Sequence, residues 1–320
     1  MMRRKPKPLI VVALGGNALL QPSEEISIGV QRRNARKAAS AIANTLDSHD
    51  VIVTHGNGPQ IGTLSLQSQA APLIEGQTID ILNAESVGMI GYILEQELIN
   101  QLSGQPVVSL LTMVEVDRQD LAFRRPSKPI GPWYTPADWQ VIADLYNWPS
   151  ITENGKCRRV VPSPEPHAIL ELEAIKTLRE AGNVVICAGG GGIAVQRLAD
   201  GTIEGVDAIV DKDLTAGLLA TTLKADILLF LTDVDAVYRN WPRSDADRIK
   251  SIDRETAKHL RLPEGSMAPK VEAGLRFVEA TGKAAQIGRL EEINKLIRRE
   301  AGTELAVSKA GQLGGRVNKD

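Results

Sequence analysis

Apolar runs rich in Val, Ile and Leu recur along the chain, and they end repeatedly in small or polar residues. Residues 9–14 (LIVVAL) are continuously apolar, the pattern of a strand buried on both faces of a parallel sheet. They run into Gly15, Gly16 and Asn17. Helical spacing over about 30–46 then puts Ala35, Ala38, Ala39 and Ile42 on one side and basic or polar residues on the other. VIVT at 51–54 predicts a second strand, ending in His55, Gly56, Asn57, Gly58 and Pro59. Two strand–glycine–helix units in succession argue for a doubly wound sheet, whose ligands sit beyond the carboxyl ends of the strands. Further on, the pattern predicts a long helix over 79–102, with Glu85, Glu95 and Glu97 among its polar positions, and a single strong strand over 106–116. A helix over about 168–181 closes on Gly182 at the C′ position. A strand at 183–187 enters Ala188 and four glycines, Gly189 to Gly192, and alternation around Asp200-Gly201 predicts a hairpin over 193–204. A β-rich run, Ala208 to Val210, leads to a helix carrying Leu214, Leu218, Leu219 and Leu223. A strand at 226–232, a polar linker, a helix opened by 265–270 and running to about 281, a short strand (284–287), a helix (291–300) and a last strand (304–307) complete the pattern.

The texture changes over 117–166. This segment is dense in proline, holds three of the four tryptophans and shows no long periodic stretch, so it reads as an inserted, partly exposed subdomain within a domain spanning 1–320. Within it, PSKPIGP at 126–132 would hold Lys128 on a stiff loop.

Composition narrows the class. With 43% hydrophobic but only 3% aromatic residues, the core must be mainly aliphatic, as in helix-covered parallel sheets. A net charge of -2 supplies no basic field for nucleic acid. Cys157 and Cys187 lack the spacing of a metal or redox pair and read as free thiols of a cytoplasmic protein. The basic start, MMRRKPKP, precedes an apolar run too short for a signal peptide or a membrane span, and reads as a short exposed arm.

The candidate chemistry centres on Asp211-Lys212-Asp213, charges placed where a helix begins. Unpaired N–H groups and the macrodipole favour anions there, so the triplet reads either as phosphate chemistry or as a capped helix with Asp211 as N-cap. The strand-end loops Gly15-Gly16-Asn17, Gly56-Asn57-Gly58, Gly189 to Gly192 and Thr232-Asp233 suggest one ligand edge lined with backbone N–H groups. There is no G-x-x-x-x-G-K-[ST] motif. Gly189-x-Gly191-x-x-Ala194 fits the loose dinucleotide fingerprint, but a hairpin follows where that site needs a helix. Lys128, Lys212 and Lys270 all sit among stiff or small residues where no core requires them. Phosphoryl transfer needs positive charge on the moving group, and an anionic acceptor needs no general base. That agrees with the histidines His49, His55, His167 and His259, which form no triad or metal pair; His55 reads as the donor or acceptor of a local structural hydrogen bond. Asp213 could hold the lysines in place. Asp233 and Asp235 could meet ribose hydroxyls or a metal, or cap the loop after the strand. A magnesium ion would be held mostly by nucleotide phosphates and water, so no protein metal-ligand cluster is expected.

VVALGGNALL (11–20), VTHGNGPQIG (53–62), ESVGMIGY (85–92), PSKPIGP (126–132), RRVVPSPEP (158–166), ICAGGGGIAV (186–195), AIVDKDL (208–214), LTDVDAVY (231–238) and GSMAPK (265–270) together closely resemble the carbamate kinases of the amino acid kinase superfamily. The match runs in order over about 9–307. The resemblance implies a three-layer αβα sandwich with an open, mainly parallel sheet and a small protruding subdomain. It implies a homodimer and reversible magnesium-dependent phosphoryl transfer between ATP and carbamate, giving ADP and carbamoyl phosphate, used for ATP synthesis in arginine or other nitrogen catabolism. Lys128, Lys212, Asp213 and Lys270 would be catalytic. Gly15, Gly16, Asn17, Gly56, Asn57, Gly58, Gly189 and Gly190 would line the carbamate and the transferred phosphoryl. Lys212, Thr232, Asp233, Asp235, Tyr238, Met267 and Lys270 would bind the nucleotide. Two departures fall on the nucleotide side: the stretch around 200 is short, and Trp241-Pro242-Arg243 stands where a glycine commonly follows the aromatic. A paralogue acting on another small carboxylate, and a catalytically silent nucleotide or metabolite sensor, are the alternative readings.

Overall fold

The computed structural model describes residues 7–16, 19–20, 24, 27–69, 77–241, 243, 245–263 and 265–307. The basic arm at 1–6 and Asn17 lie outside the described residues. Eight strands form the main sheet, in the order Ser251–Ile252, Thr303–Leu305, Ala284–Arg289, Ile227–Thr232, Leu9–Leu14, Asp50–His55, Val184–Ile186, Val107–Ser109. All neighbouring pairs run parallel except Ala284–Arg289 with Thr303–Leu305.

The central strand shows why there are three layers. Successive side chains point to opposite faces. Leu9, Val11 and Ala13 join a core with Ala216, Leu219 and Ala220 of the helix Lys212–Thr222 and Leu275 and Phe277 of the helix Met267–Thr281. Ile10, Val12 and Leu14 join a second core with Ala35, Ala38, Ala39 and Ile42 of the helix Ile28–Ala43 and Leu94 and Leu98 of the helix Ile79–Gln101. The continuous apolar run is therefore covered by helices on both faces, the doubly wound sheet that the sequence pattern predicts and the open αβα sandwich that the resemblance implies.

Several boundaries differ from the sequence reading. The expected strand at 106–116 is two strands: Val107–Ser109 ends the main sheet, and Met113–Val116 lies in a separate four-stranded sheet. Thr112 makes the switch, its Oγ1 accepting from the Ala188 amide at 3.0 Å and its carbonyl from the Ile193 amide at 2.8 Å. Residues expected to start the next helix form the strand Pro166–Ile169 in that second sheet, and the helix begins at Leu172. Gly182 does close it, with φ of 91°. The hairpin after the glycine run is present as Ile193–Arg197 with Ile203–Gly205. Ala208 to Val210, read as β-rich, forms no strand and pairs in no sheet. A helix, Gly58–Gln69, follows the second glycine loop, where the small residues predict only a loop. The polar linker contains the hairpin Val237–Arg239 with Asp247–Ile249 and the short helix Arg254–Lys258.

Within 117–166 the strands Lys128–Pro129, Lys156–Val161 and Ser150–Glu153 form an antiparallel sheet. The segment also holds an 11-residue helix, Pro136–Tyr146, capped by Thr135 with Pro136 in its first turn. Trp139 is the buried residue of that helix, so it carries almost no apolar stripe for a periodicity argument to detect. Among the described residues no helix is long and apolar enough to cross a membrane.

Candidate active site

The cleft forms where parallel strands stop. Leu9–Leu14 delivers Gly15 and Gly16; Asp50–His55 delivers Gly56, Asn57 and Gly58; Ile227–Thr232 ends at Thr232 and Asp233. The glycine amides first extend the ladder, Gly15 N–H donating to Leu231 O at 2.8 Å and Gly56 N–H to Leu14 O at 3.1 Å, before the chain turns away. Glycine at 56 is required by crowding. A Cβ there would lie 2.9 Å from the Gly16 nitrogen and 3.4 Å from Lys212 Cε. The glycine loops and Lys212 therefore occupy one spot. The resulting cleft has a volume of about 900 Å³, and the first turns of the helices Gly58–Gln69, Lys212–Thr222 and Met267–Thr281 all reach its wall. Three helix starts facing one space favour an anion there.

The three lysines meet in this cleft although they come from distant parts of the chain. Asp213 binds two of them: its Oδ1 accepts from Lys212 Nζ, and its Oδ2 accepts from Lys270 Nζ at 3.0 Å. Lys270 Nζ also donates to Ser266 O at 3.0 Å. Burial pushes the Asp213 carboxyl up, but Lys212 and Lys270 overcome it and hold the group at about 2. Burial lowers Lys212, the Asp213 charge opposes this, and Lys270 adds to the lowering. Asp211 is the N-cap of Lys212–Thr222: its Oδ1 accepts from the amides of Asp213 at 2.9 Å and Leu214 at 3.4 Å. Its Oδ2 accepts from Lys128 Nζ at 2.5 Å, an ion pair that spans from the 117–166 segment to the helix carrying Lys212. Lys128 stands on a short strand, paired with Val161, and not on the stiff loop its flanking prolines suggest. The neighbouring strand Lys156–Val161 supplies Lys128's position by backbone pairing, a long-range cause that flanking residues do not reveal.

His55 is fully buried and sits beneath the glycine loops. Its Nδ1 lies 3.3 Å from Gly56 O, the local hydrogen bond expected of it. Burial lowers its pKa to about 4, against the Gly56 carbonyl and with the help of the Lys212 charge, so it is neutral at pH 7.

Gly15, Gly16, Gly56, Asn57, Gly58, Gly190, Thr232, Asp233, Tyr238 and Met267 all line the cleft. Two expected residues stand back from it. Gly189 is buried, and a Cβ there would run into the His55 ring. Asp235 braces Tyr238, whose hydroxyl donates to Asp235 Oδ1 at 2.9 Å, and lies 3.9 Å from Arg248. Its carboxylate is thus engaged with the binding wall and does not form it.

Sequence reading missed further lining residues. Trp133 and Arg158 of the 117–166 segment face the cleft, with Arg158 Nε donating to Gly131 O at 2.8 Å. Trp241 also lines it, its ring 5.5 Å from that of Tyr238. Its place three residues after the tyrosine, on the nucleotide side, was a signal for this. Asn83 and Ser86, which hold Asn57 from behind, were legible only as polar positions on the apolar side of a long helix. Among the described residues no three acid, histidine or cysteine side chains gather as a metal site.

The Amino acid kinase family matches residues 8–289 of the chain. A carbamate kinase of Rhizobium meliloti is 45% identical over 302 residues, covering 93% of each chain. One from Haemophilus influenzae is 42% identical over 303 residues, covering 94% of this chain and 98% of its own. The structure of carbamate kinase from Giardia lamblia bound to AMP-PNP superimposes with a TM-score of 0.86 at 36% identity, covering 94% of this chain and 99% of its own. With the glycine edge, the three lysines and their two aspartates in one cleft, these likenesses place the chain in the amino acid kinase family and, within it, among the carbamate kinases.

Proposed function

We propose that this cleft moves a phosphoryl group between carbamoyl phosphate and ADP, in the direction of ATP synthesis, with Lys128, Lys212 and Lys270 as the cations around the transferred group. In that direction an oxygen of the ADP β-phosphate attacks the phosphorus, the bond from phosphorus to the carbamate oxygen breaks, and carbamate leaves as an anion. In the reverse direction the carbamate oxygen attacks the γ-phosphorus of ATP and ADP leaves. Neither direction requires a base, because each nucleophile is already anionic. A neutral, sealed His55 agrees with this. The observation that carries the reading is the pairing of three lysines with two aspartates against the glycine loops. The aspartates fix the ammonium groups before substrate arrives, so little reorganisation is needed as charge spreads in the transition state.

The roles divide along the cleft. Gly15, Gly16, Gly56, Asn57, Gly58 and Gly190 border the carbamate and phosphoryl end. Thr232, Asp233, Tyr238, Met267 and Trp241 border the nucleoside end, with Asp235 acting through Tyr238. Residues 117–166 serve as a small subdomain whose function is to present Lys128. Magnesium fits this site as a passenger of the nucleotide, because Asp211 and Asp213 are already committed to lysines. When bound, it would neutralise charge on the phosphates, held mainly by them and by water. A cytoplasmic homodimer serving nitrogen catabolism completes the reading.

The test is ATP formation from ADP and carbamoyl phosphate, followed by coupled assay. Activity in the wild type and a fall in kcat of at least about a hundredfold in Lys212→Ala are expected, the cost of losing one preorganised electrostatic stabiliser. An inactive, folded wild type would sink the assignment. A near-normal Lys212→Ala would show that another group carries the charge.

A further inference from the structure

We infer that Asn57 reads the amino group of the substrate, accepting a hydrogen bond from its N–H through Oδ1, and so selects a carbamoyl group over a carboxylate or acyl group of the same shape. The inference rests on the carbamate reading above and adds the residue that sets its specificity.

The orientation of the Asn57 amide follows from a chain of hydrogen bonds anchored on backbone carbonyls, which can only accept. Asn83 Nδ2 donates to Gly192 O at 2.8 Å, which leaves Asn83 Oδ1 as an acceptor. Ser86 Oγ donates to Asn83 O at 2.8 Å, which leaves the Ser86 oxygen as an acceptor. Asn57 Nδ2 meets both acceptors, Asn83 Oδ1 at 2.5 Å and Ser86 Oγ at 2.7 Å. Both N–H bonds of the Asn57 amide are consumed. Turning the amide over would set its oxygen against two acceptors. The orientation is therefore imposed by the network.

What Asn57 has left is an acceptor. Among the described residues no donor meets its Oδ1, and that atom is not among the sealed, unpaired ones. The residue is only 4% exposed, and what it exposes lies on the cleft wall between Gly56 and Gly58. Gly190 covers the other side of the amide: its φ is 62°, and a Cβ there would come within 2.6 Å of Asn57 Oδ1. The bonds to Asn83 and Ser86 keep the amide from turning over, and glycine at 190 leaves it room.

Backbone N–H groups, helix starts and lysines at this end of the cleft are donors or positive charge, and the carboxylates that line it, Asp211, Asp213 and Glu24, already accept from Lys128, Lys212, Lys270, Arg33 and Asn34. The donors and positive charge suit the oxygens of carbamate, hydrogencarbonate and acetate alike. A carbamoyl group differs from an acetyl group of the same shape by carrying N–H donors, and only an acceptor can distinguish the two. Acetate would leave Oδ1 unpaired in a nearly closed wall, and discrimination of this polar kind is stronger than discrimination by shape.

The experiment uses carbamoyl phosphate as donor to ADP and acetyl phosphate as competitive inhibitor, which replaces the amino group by methyl. For Asn57→Ala, the fall in kcat/KM for carbamoyl phosphate should exceed any rise in the Ki of acetyl phosphate by at least roughly tenfold, the scale of one lost hydrogen bond in a buried site. The folded fraction cancels from Ki, and kcat/KM is corrected by active-site titration with labelled ADP. Ser86→Ala, which frees one N–H of the amide without entering the cleft wall, should move the same ratio in the same direction. A rise in Ki that keeps pace with the loss of kcat/KM overturns the inference while leaving the kinase assignment standing. Wild-type protein that makes no ATP from carbamoyl phosphate overturns both.

Discussion

At the scale of single residues, charged groups among the described residues are buried only where they are paired. Lys270 is 6% and Asp213 4% exposed, and each is the other's partner. Burying either alone would leave an uncompensated charge. His55 solves the same problem by staying neutral, and this gives a measurable consequence. Its pKa is about 4 when folded, against 6.5 for the ordinary side chain. The unfolded chain therefore binds a proton here between those values and the folded one does not. The stability that depends on this is fully present above about pH 6.5 and is lost as the pH falls towards 4. The shift corresponds to roughly 3 kcal/mol. Replacing His55 by Gln should flatten the pH dependence of the urea midpoint over that window, measured on wild type and variant together. Parallel curves would show that the imidazole is protonated inside the fold.

At the scale of elements, the position of Lys128 depends on how the 117–166 segment seats on the main body. The seat is close: a Cβ on Gly62, in the helix Gly58–Gln69, would lie 2.7 Å from the Gly131 Cα. Backbone against backbone has no flexible end to yield, so one element must move. Nearby, Arg159 joins the same two elements, stacking on Trp148 at 3.7 Å and donating to Ser65 Oγ at 3.3 Å. Gly62→Ala should push the strand Lys128–Pro129 outward and stretch the Lys128–Asp211 pair. We expect kcat for ATP formation to fall about tenfold or more, as small misplacements of a catalytic group do, while the thermal midpoint changes by a few degrees. Unchanged kinetics would mean that the segment's seat does not set the lysine's place.

At the scale of the whole molecule, one face of the long helix Ile79–Gln101 is largely exposed among the described residues, Arg32 alone reaching over the Tyr92 ring at 5.8 Å. Ile81, Tyr92 and Ile99 are 47%, 56% and 50% exposed, and a Cβ on Gly88 between them would meet nothing within 4 Å. Their spacing of seven, four and seven residues through Gly88 puts them on one side of the helix. A stripe with a small residue at its centre suits close approach of a second copy about a two-fold axis. The wild type is expected to be a dimer by light scattering, and Tyr92→Glu with Ile99→Glu a monomer. A wild-type monomer at micromolar concentration would remove the dimer from the proposed function.

The doubly wound sheet was legible from apolar runs ending in glycine, because a strand buried on both faces has almost no other way to be written. Asp211 as a cap and Gly182 as a helix stop were legible too, since these are local events of a few residues. Lys128, Lys212 and Lys270 could be singled out by their surroundings and by family resemblance. Their union in one cleft could not be read from spacing, because they lie 58 or more positions apart and meet only when parallel strands bring their loops to one edge. The division of 106–116 between two sheets was likewise invisible, since an apolar run carries no mark of which neighbour it will pair with. Sequence alone determined which side chains had no reason to be buried in a core. Tertiary structure decided which of them face one another, and it turned the Asn57 amide so that an acceptor is left at the cleft, because hydrogen bonds between residues far apart in the chain form only in the folded protein.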